Sequence, residues 1–459
     1  MNTCFFAFIY YIMLKNNGIL CKNRFRLLGI GGIGVSALAV YLRQMGKEVF
    51  GYDKNVNTDL VRRLRAYGIS VTANFADLPD AEVTVYSGAF TREDLVAQLG
   101  GESIFLSRAE LLGMVMQTFS TSVAIAGSHG KTTATAMLGE ILRGTPSTVF
   151  LGGEYPPFAQ RGGFGNLYHE GEGLCLVEAC EYRQSFLFIR PTVAVALNVE
   201  EDHMDCYANF HCLKDAFRRY LEGGNVTVVN VDDPVLSEYP ATVTYGLCKR
   251  ADYYAENLRS DRGKYSFDCF ERGKFRGRIS LSVCGKHNVY NALAAIATAR
   301  QLFIPFSVIL QKLSEFSGVD RRNTYLGEYQ GKKTYADYAH HPTEIQATVC
   351  AFREAEDEDF SVVFQPHTRE RTAYLYQEFC RVLNQIPNLA IYSTYLARAS
   401  QSAEGEELLQ KGVNAPLIQS PQELEKYIAS LPKTITRVLV LGAGDIYEIA
   451  RKLIYPVTK

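Results

Sequence analysis

The sequence lacks an excess of charge of either sign, since its 459 residues include 48 Lys and Arg against 49 Asp and Glu. A near-neutral chain offers no broad basic surface, so we expect no nucleic-acid partner and no attraction to an anionic membrane. Any anionic ligand must therefore be held by a few local groups.

Cysteine pairs with the spacing of metal or disulfide sites are also lacking. The 11 cysteines contain no Cys-x-x-Cys pair, and the nearest pairs are Cys175 with Cys180 and Cys206 with Cys212. Neither pair has zinc-finger spacing or the regularity of a secreted disulfide framework. This usage favours reduced thiols in a cytoplasmic protein.

Long hydrophobic runs are absent as well. The apolar run at residues 4–14 is shorter than the roughly 20 residues that a membrane helix needs, and it lacks the flanks of a signal peptide. We therefore expect no stable membrane insertion, and we interpret residues 1–23 as an N-terminal extension ahead of the first domain.

Strand and helix patterns alternate along the chain from Arg24 onward. "RFRLLGIG" (24–31), a helix at 35–44 and "KEVFGYD" (47–53) form a βαβ series, which is typical of a parallel sheet. A second series begins at "TSVAIAGSHGKTT" (121–133), and a third begins near residue 322. The sequence therefore predicts an α/β fold with three domains, at residues 24–119, 120–320 and 321–459.

A glycine-rich turn follows the first predicted strand. Gly29, Gly31 and Gly34 lie between that strand and a helix, and Asp53 ends the next strand. This is the spacing of a dinucleotide-binding turn, whose backbone amides, including that of Gly32, face a diphosphate at a helix N-terminus. A sugar nucleotide satisfies the pattern as well as NAD does, and a tight turn without a ligand is the alternative.

A second glycine turn, "AGSHGKTT" at 126–133, resembles a phosphate-binding loop in which Ile125 replaces the usual first glycine. The amides of residues 128–132 can face phosphates, while Lys131 supplies a point charge and Thr132 a hydroxyl for Mg²⁺. Helix capping explains the threonines but needs neither the two glycines nor the lysine. The predicted ATP-binding residues are Gly127, Ser128, His129, Gly130, Lys131, Thr132 and Thr133.

Acidic and histidine residues follow two later predicted strands. "VEACE" places Glu178 at one strand end, and "NVEEDHMD" places His203 beyond another. The carboxyl ends of parallel strands meet at one sheet edge, where ligands bind. Because Mg²⁺ prefers oxygen ligands, Glu178 and Thr132 are its natural partners, and His203 could instead orient a water or a phosphate. A solvated acidic loop is the alternative.

Three further segments carry polar clusters. "GKHNVYN" (285–291) puts Asn288 and Asn291 on one helical face, where both amides can meet a purine edge or simply belong to a helix start. "ADYAHHPTE" (336–344) and "FQPHTRERT" (364–372) are rich in histidine. Six of the 8 histidines fall within the segments described so far, which argues against scattered core histidines.

In this order, "GSHGKTT", "EACE", "NVEEDHMD", "GKHNVYN", "GVDRR" and "DYAHHPTE" resemble the Mur ligases of peptidoglycan precursor synthesis, from about Arg24 to the C-terminus. The resemblance implies an N-terminal Rossmann-like domain for a UDP-sugar, a central P-loop domain for ATP and Mg²⁺, and a C-terminal Rossmann-like domain for an amino acid. Within the family, "HHPTE", "FQPHTRERT" and "GAGDI" are most similar to ligases that join L-alanine to UDP-N-acetylmuramate. Ligases that recycle the murein tripeptide and folylpolyglutamate-type ligases are the alternatives.

The resemblance also implies roles for individual residues. The implied UDP-sugar ligands are Gly29, Gly31, Gly32, Gly34 and Asp53. The implied catalytic residues are Lys131, His203, Arg322, Asp337 and His340. Asn288 and Asn291 join the ATP-binding loop, and the implied metal ligands are Thr132, Glu178 and His203. The implied alanine pocket contains Tyr338, His340, His367 and Arg371, of which Arg371 pairs with the amino-acid carboxylate.

The implied reaction activates a carboxylate as an acyl phosphate, which the amine of alanine then attacks. His203 or His340 can accept the amine proton, and the sequence does not choose between them. A dinucleotide-dependent oxidoreductase leaves Lys131, Glu178 and His203 without a role, and a non-catalytic nucleotide sensor is a further alternative. We expect a monomer or a homodimer.

Overall fold

The computed structural model describes residues 18–100, 102–355, 359–395 and 404–456. The predicted N-terminal extension lies outside the described residues up to position 17. The chain divides into two compact units, one made of Met1–Ala126, Leu142–Val195 and Arg219–Thr227, the other of Gly127–Ile141, Ala196–Arg218 and Val228–Lys459. Neither unit coincides with one predicted domain, so the predicted domain boundaries stay a prediction. Across the described ranges, the helices lack the length and apolar character that crossing a bilayer requires.

The N-terminal part of the first unit is a parallel five-stranded sheet with the order β3-β2-β1-β4-β5. Its strands are β1 (Arg24–Leu28), β2 (Glu48–Tyr52), β3 (Ser70–Thr72), β4 (Val83–Tyr86) and β5 (Ile104–Ser107). Its helices span Ile33–Gln44, Asp59–Ala66, Arg92–Leu99 and Arg108–Met116. The βαβ series predicted at the start of the chain is confirmed, with the first helix beginning two residues earlier than predicted.

Side-chain caps determine where three of these helices begin. Thr58, Thr91 and Ser107 each accept a hydrogen bond from an amide of the following turn. Ser107 and Glu110 form a reciprocal capping box. The helix Ile33–Gln44 instead follows Gly32 without a side-chain cap, as do helix N-termini that bind anions.

The rest of the first unit adds strands in the order β10-β6-β9-β7-β8. These strands are β6 (Thr121–Ala126), β7 (Ser147–Phe150), β8 (Leu167–His169), β9 (Leu174–Glu178) and β10 (Val193–Ala196). β9 is parallel to both β6 and β7, whereas β8 is antiparallel to β7. A short helix, Pro156–Gln160, lies between β7 and β8 in sequence.

One helix of the first unit contacts a neighbouring backbone at Gly113. A Cβ atom at position 113 would lie 2.2 Å from the carbonyl oxygen of Phe188, well inside van der Waals contact. Phe188 ends the 3₁₀ segment Tyr182–Phe188, in which Arg183 and Gln184 have φ angles of 50° and 55°. Glycine at position 113 therefore sets the spacing between the helix and this segment.

The first part of the second unit has strands in the order β15-β14-β13-β12-β11. They are β11 (Val226–Asn230), of which the second unit contains residues 228–230, β12 (Val243–Gly246), β13 (Tyr253–Asp261), β14 (Lys264–Glu271) and β15 (Lys274–Cys284). The last three strands form an antiparallel meander that the sequence reasoning did not predict. The helices Lys131–Ile141 and His287–Gln301 pack against each other and are almost wholly buried. The helix Phe306–Glu315 also belongs to this unit, and the helix Phe210–Glu222 belongs to it up to Arg218.

The C-terminal part of the second unit is a six-stranded sheet with the order β16-β17-β21-β18-β19-β20. Its strands are β16 (Thr324–Tyr329), β17 (Lys332–Asp337), β18 (Phe360–Phe364), β19 (Leu389–Tyr392), β20 (Leu417–Ile418) and β21 (Arg437–Leu441). Its helices are Pro342–Ala355, Arg369–Tyr374, Tyr376–Leu383, Glu404–Gly412, Pro421–Ser430 and Ile446–Ile454. β16 pairs antiparallel with β17, and the remaining pairs are parallel.

This sheet is buried on both faces. Val362 and Phe364 belong to one hydrophobic cluster, and Val363, between them, belongs to a second. Alternate residues of a strand point to opposite faces, so the two clusters cover the two sides. Polar residues that follow the strands, such as Asp337 at the end of β17, are thereby placed at the carboxyl edge, where α/β sheets bind ligands.

Candidate active site

The loop between β6 and the next helix depends on two glycines with positive φ, +154° at Gly127 and +84° at Gly130. A Cβ atom at Gly127 would lie 2.9 Å from Leu197 Cβ, and one at Gly130 would lie 2.5 Å from Asn291 Oδ1. Both positions exclude a side chain, so these two glycines form the turn without a third at position 125.

Lys131 opens the helix Lys131–Ile141 and folds back over the loop. Its Nζ donates to the carbonyl oxygen of Gly127 and, at 3.2 Å, to that of Ser128. Thr132 and Thr133 are buried in the first turn of this helix. In the described structure, that first turn contains no Asp or Glu. A cation at a helix N-terminus without a neighbouring acid in that turn suits a phosphate ligand.

We expect Gly130→Ala to weaken ATP binding about tenfold or more. The added methyl group would meet Asn291 Oδ1, and a left-handed backbone costs an L-residue roughly 1–2 kcal/mol. Equilibrium binding of ATP measures the effect. Gly144→Ala is the matched control, because Gly144 has a φ of +87° and no atom lies within 4 Å of an added Cβ. Equal ATP affinities for the two variants would contradict the prediction.

The segment after β10 forms hydrogen bonds with the backbone of this loop. Asn198 Oδ1 accepts the His129 amide at 2.8 Å, and Asn198 Nδ2 donates to the His129 carbonyl at 3.1 Å. The Asn198 carbonyl accepts the Ser128 amide at 3.0 Å, and Ser128 Oγ accepts the Glu200 amide at 2.9 Å. The expectation that the amides of residues 128 and 129 face phosphate is thereby corrected, because both already donate to Asn198.

The His129 side chain lies between two carboxylates. Its Nε2 is 3.4 Å from Glu200 Oε2, and its Nδ1 is 3.3 Å from Glu344 Oε1. Burial lowers the pKa of His129, but Glu344 and Glu200 together outweigh burial and raise this pKa to about 10. The phosphate loop therefore carries an imidazolium two residues before Lys131.

Three residues of the predicted alanine pocket come together around His340. The ring centroid of His340 lies 5.3 Å from that of Tyr338 and 5.5 Å from that of His367, which also stacks on Tyr395. His340 Nδ1 is 2.9 Å from the Tyr338 carbonyl oxygen and 3.2 Å from Glu344 Oε2. Because both neighbours are acceptors, the neutral ring carries its proton on Nδ1 and its lone pair on Nε2. Burial lowers the pKa of His340 to about 3, so this ring is neutral.

Arg371, the fourth predicted pocket residue, forms a buried ion pair. Its Nε and Nη2 donate to Asp202 Oδ1 at 2.9 and 2.6 Å. Burial raises the pKa of Asp202, but His203 and Arg371 outweigh it and hold this pKa far below the usual range. Arg371 thus binds a carboxylate of the chain itself, and its pairing with an amino-acid carboxylate stays a prediction.

Arg322 and Asp337 flank this group. Arg322 Nη1 lies 3.8 Å from Glu344 Oε1, and its guanidinium carbon lies 5.3 Å from the Tyr338 ring centroid. Asp337 is buried, and its two oxygens accept the amides of Asn323 at 2.7 Å and Ala339 at 2.8 Å. Asp337 therefore shapes the turns beside the site, and its catalytic role stays a prediction.

Asn288 and Asn291 lie buried at the start of the helix His287–Gln301. Asn291 Nδ2 donates to Asn288 Oδ1 at 3.0 Å, and Asn288 Nδ2 donates to the Cys284 carbonyl at 2.7 Å. Asn291 also contacts the loop at Gly130. The two amides therefore share one face beside the loop, as predicted, while their role toward adenine stays a prediction.

The predicted metal ligands are one hydroxyl, one carboxylate and one imidazole. Thr132 is buried at the start of its helix, and His203 has a φ of +57° that is rare outside glycine. Glu178, in the first unit, accepts the Gly152 amide. The hydroxyl and carboxylate suit Mg²⁺, and the imidazole is less usual for it. A second set, His129, Glu200 and His341, offers ligand atoms within 4.8 Å of one another, but a protonated His129 has no lone pair for a metal ion, so these groups form an ion-pair cluster instead.

In the first unit, the glycine turn is closed by Asp53. Gly29 has a φ of +76°, and the Gly31 amide donates to Asp53 Oδ2 at 2.9 Å. This corrects the expectation that the Gly31 amide faces a diphosphate. Arg108 also lies at the turn, since a Cβ atom on Gly34 would be 3.3 Å from its Nη1. Arg108 is thus a cation suited to an anionic ligand of this turn, alongside the uncapped helix that follows.

Three consecutive parts of the chain match models of protein-family domains. Residues 24–120 match "Mur ligase family, catalytic domain", residues 125–299 match "Mur ligase middle domain" and residues 321–444 match "Mur ligase, glutamate ligase domain". The chain belongs to the Mur ligase family. The predicted family and its three-domain α/β fold are therefore confirmed.

Relatives in the Mur ligase family extend over nearly the whole chain. A protein of Aquifex aeolicus (strain VF5) named "UDP-N-acetylmuramate--L-alanine ligase" is 37% identical over 441 residues, which are 92% of this chain and 95% of that protein. The structure of UDP-N-acetylmuramate-alanine ligase MurC from Thermotoga maritima has 26% identity and a TM-score of 0.80, covering 94% of this chain and 98% of the other. A murein peptide ligase of Psychrobacter arcticus 273-4 shares the fold, with 21% identity, a TM-score of 0.76 and coverages of 95% and 99%.

Sequence reasoning on this Mur ligase missed Glu200, Glu344 and Arg108. Glu200 and Glu344 lie in histidine-containing motifs. The order of charged residues in those motifs does not show which histidine each carboxylate pairs with. The capping pattern Ser107-x-x-Glu110 predicts that a helix begins at Arg108. It does not predict that the Arg108 side chain lies beside the glycine turn at Gly34.

Proposed function

We propose that this chain joins L-alanine to the carboxylate of UDP-N-acetylmuramate, with conversion of ATP to ADP and phosphate, in the cytoplasm. The relatives that bear this name support the substrate pair, since the Aquifex aeolicus protein is 37% identical over 92% of this chain. The observation that carries the proposal is the pocket of Tyr338, His340 and His367, which adjoins the imidazolium of the phosphate loop through Glu344.

The first step is phosphoryl transfer from ATP to the muramyl carboxylate, which depends mainly on positioning and charge neutralisation. Lys131 and the loop amides from Gly130 onward bind the phosphates, with Arg322 as a further cation. The predicted ligands Thr132, Glu178 and His203 would hold Mg²⁺, which would supply positive charge to balance the phosphoryl oxygens. The amides of Asn288 and Asn291 lie beside the loop on the side proposed for adenine.

The second step is attack of the alanine amine on the acyl phosphate, and it needs a proton acceptor. Of the two histidines proposed, His340 has its Nε2 lone pair available because Nδ1 faces two acceptors. Burial lowers the pKa of His340, which keeps the ring neutral but makes it a weak base, so it accepts the amine proton only when the negative charge of the bound substrates raises this pKa. Tyr338 and His367 enclose the methyl group, and Arg371 binds the carboxylate. Nearby cations then stabilise the negative charge of the tetrahedral intermediate.

Phosphate release in the presence of ATP and Mg²⁺ tests the proposal. UDP-N-acetylmuramate is combined in turn with L-alanine, glycine, L-serine or the murein tripeptide, with a reaction lacking amino acid as the baseline. We expect the largest rate with L-alanine, together with formation of the amide product. Activity with the tripeptide alone would instead assign the recycling reaction, and nicotinamide reduction without phosphate release would refute the ligase.

A further inference from the structure

Glu344 is a buried carboxylate to which the sequence motifs assign no role. It lies in the first turn of the helix Pro342–Ala355 and contacts groups from three different parts of the second unit. These groups are the phosphate-loop histidine, the pocket histidine and the arginine before β16, namely His129, His340 and Arg322. A carboxylate with this set of neighbours joins elements that lie far apart in sequence.

The two oxygens of Glu344 divide these contacts. Oε1 faces the cations, with His129 Nδ1 at 3.3 Å and Arg322 Nη1 at 3.8 Å. Oε2 faces the amino-acid pocket, with His340 Nδ1 at 3.2 Å and the His340 and His341 amides at 3.2 and 3.4 Å. One rigid group thus fixes the phosphate loop on one side and the pocket histidine on the other.

The charge of Glu344 is maintained by its surroundings. Burial raises the pKa of this carboxyl, but the Nδ1–H donor of His340 and the positive charges of His129 and Arg322 outweigh burial and hold the pKa well below its ordinary value. Charge-assisted hydrogen bonds are stronger than neutral ones, so loss of the carboxylate charge weakens both sides together. His129 is anchored a second time by Glu200, whose carboxylate also accepts from the Thr343 hydroxyl at 2.6 Å, one residue before Glu344.

We propose that Glu344 is a positioning residue that couples the phosphate loop to the amino-acid pocket in the proposed ligation. Its carboxylate fixes the Nδ1–H form of His340 while it holds His129 in place. The coupling rests on the proposed function, because it assigns the pocket to L-alanine. A change in the phosphate loop at His129 should therefore reach the alanine pocket, which His129 contacts through Glu344.

Kinetics of Glu344→Gln, His129→Asn and the double variant test the coupling, with ATP and UDP-N-acetylmuramate saturating. We expect Glu344→Gln to raise KM for L-alanine about 10-fold or more, as loss of a charge-assisted bond predicts. His129→Asn should raise the same KM several-fold, and the double variant should be little worse than Glu344→Gln alone. Glu328→Gln, an exposed change on β16, is the matched control and should leave KM unchanged.

Three results would overturn the coupling: multiplicative effects in the double variant, an unchanged KM for L-alanine in His129→Asn, or a fall in kcat alone in Glu344→Gln. Thermal unfolding shows whether each variant is folded, and His129→Asn still decides the question if Glu344→Gln does not fold. A wild-type protein without alanine-dependent phosphate release would refute the proposed function itself. A wild-type protein with that activity but with independent variants would refute only the coupling.

Discussion

Replacement of Lys131 by alanine should lower the rate of ATP-dependent ligation by roughly 10²- to 10³-fold or more, the loss typical of one preorganised charge-stabilising group. Lys131 Nζ already lies at the loop, where it donates to the carbonyl oxygens of Gly127 and Ser128. A phosphate held there meets the charge without reorganisation of the side chain. Alanine removes both the charge and the donor that orders the loop carbonyls.

Alanine-dependent phosphate release measures this loss. Lys426→Ala, an exposed change on the helix Pro421–Ser430, controls for general effects of a lost lysine. Lys131→Arg keeps the positive charge but changes the shape of the charged group. Partial activity in this variant would therefore show how much of the rate depends on the charge and how much on the shape. Near wild-type turnover in Lys131→Ala would show that this loop does not take part in catalysis.

Replacement of Arg371 by alanine should have two separable effects. Asp202 is 5% exposed and would lose its guanidinium partner while it keeps the His203 amide and ring, so we expect the free energy of unfolding to fall by about 3 kcal/mol, the lower end of the cost of breaking a buried ion pair. Loss of the guanidinium should also raise KM for L-alanine at least tenfold, because its proposed partner is the amino-acid carboxylate. Denaturant unfolding and steady-state kinetics measure the two effects independently.

The double variant Arg371→Ala with Asp202→Asn separates structure from binding. Asparagine removes the stranded charge, so the double variant should be more stable than Arg371→Ala while its KM for L-alanine stays high. Arg353→Ala, an exposed change on another helix of the same sheet, is the control. A wild-type KM in Arg371→Ala would show that this residue serves only the ion pair.

The sequence predicted the parts of the fold that have a strong local signal. The βαβ series at the start of the chain follows from apolar runs separated by glycine turns and capped helices, and each of these features is local. The meander of β13 to β15 escaped prediction because its strands are partly exposed and carry many charged residues, so no continuous apolar run marks them. Its pairing between strands is a nonlocal property.

The candidate site shows the same division. Its glycines, lysine and histidines stand in dense motifs, and the structure brings Tyr338, His340 and His367 together. Pairing of the charged side chains did not follow from those motifs, because a carboxylate such as Glu344 finds its partners only after distant segments fold together. The amide of Gly31 likewise has the right spacing for a ligand, yet it donates to Asp53 once the next strand is in place.

The close approach at Gly113 restricts which amino acids can replace this glycine during evolution. The group that an added methyl would strike is the carbonyl oxygen of Phe188, which belongs to the backbone. A clash between two side chains can be relieved by a second mutation that shrinks the partner, but every amino acid at position 188 brings the same carbonyl. Position 113 therefore has no compensating partner, and it can leave glycine only through movement of a whole backbone segment.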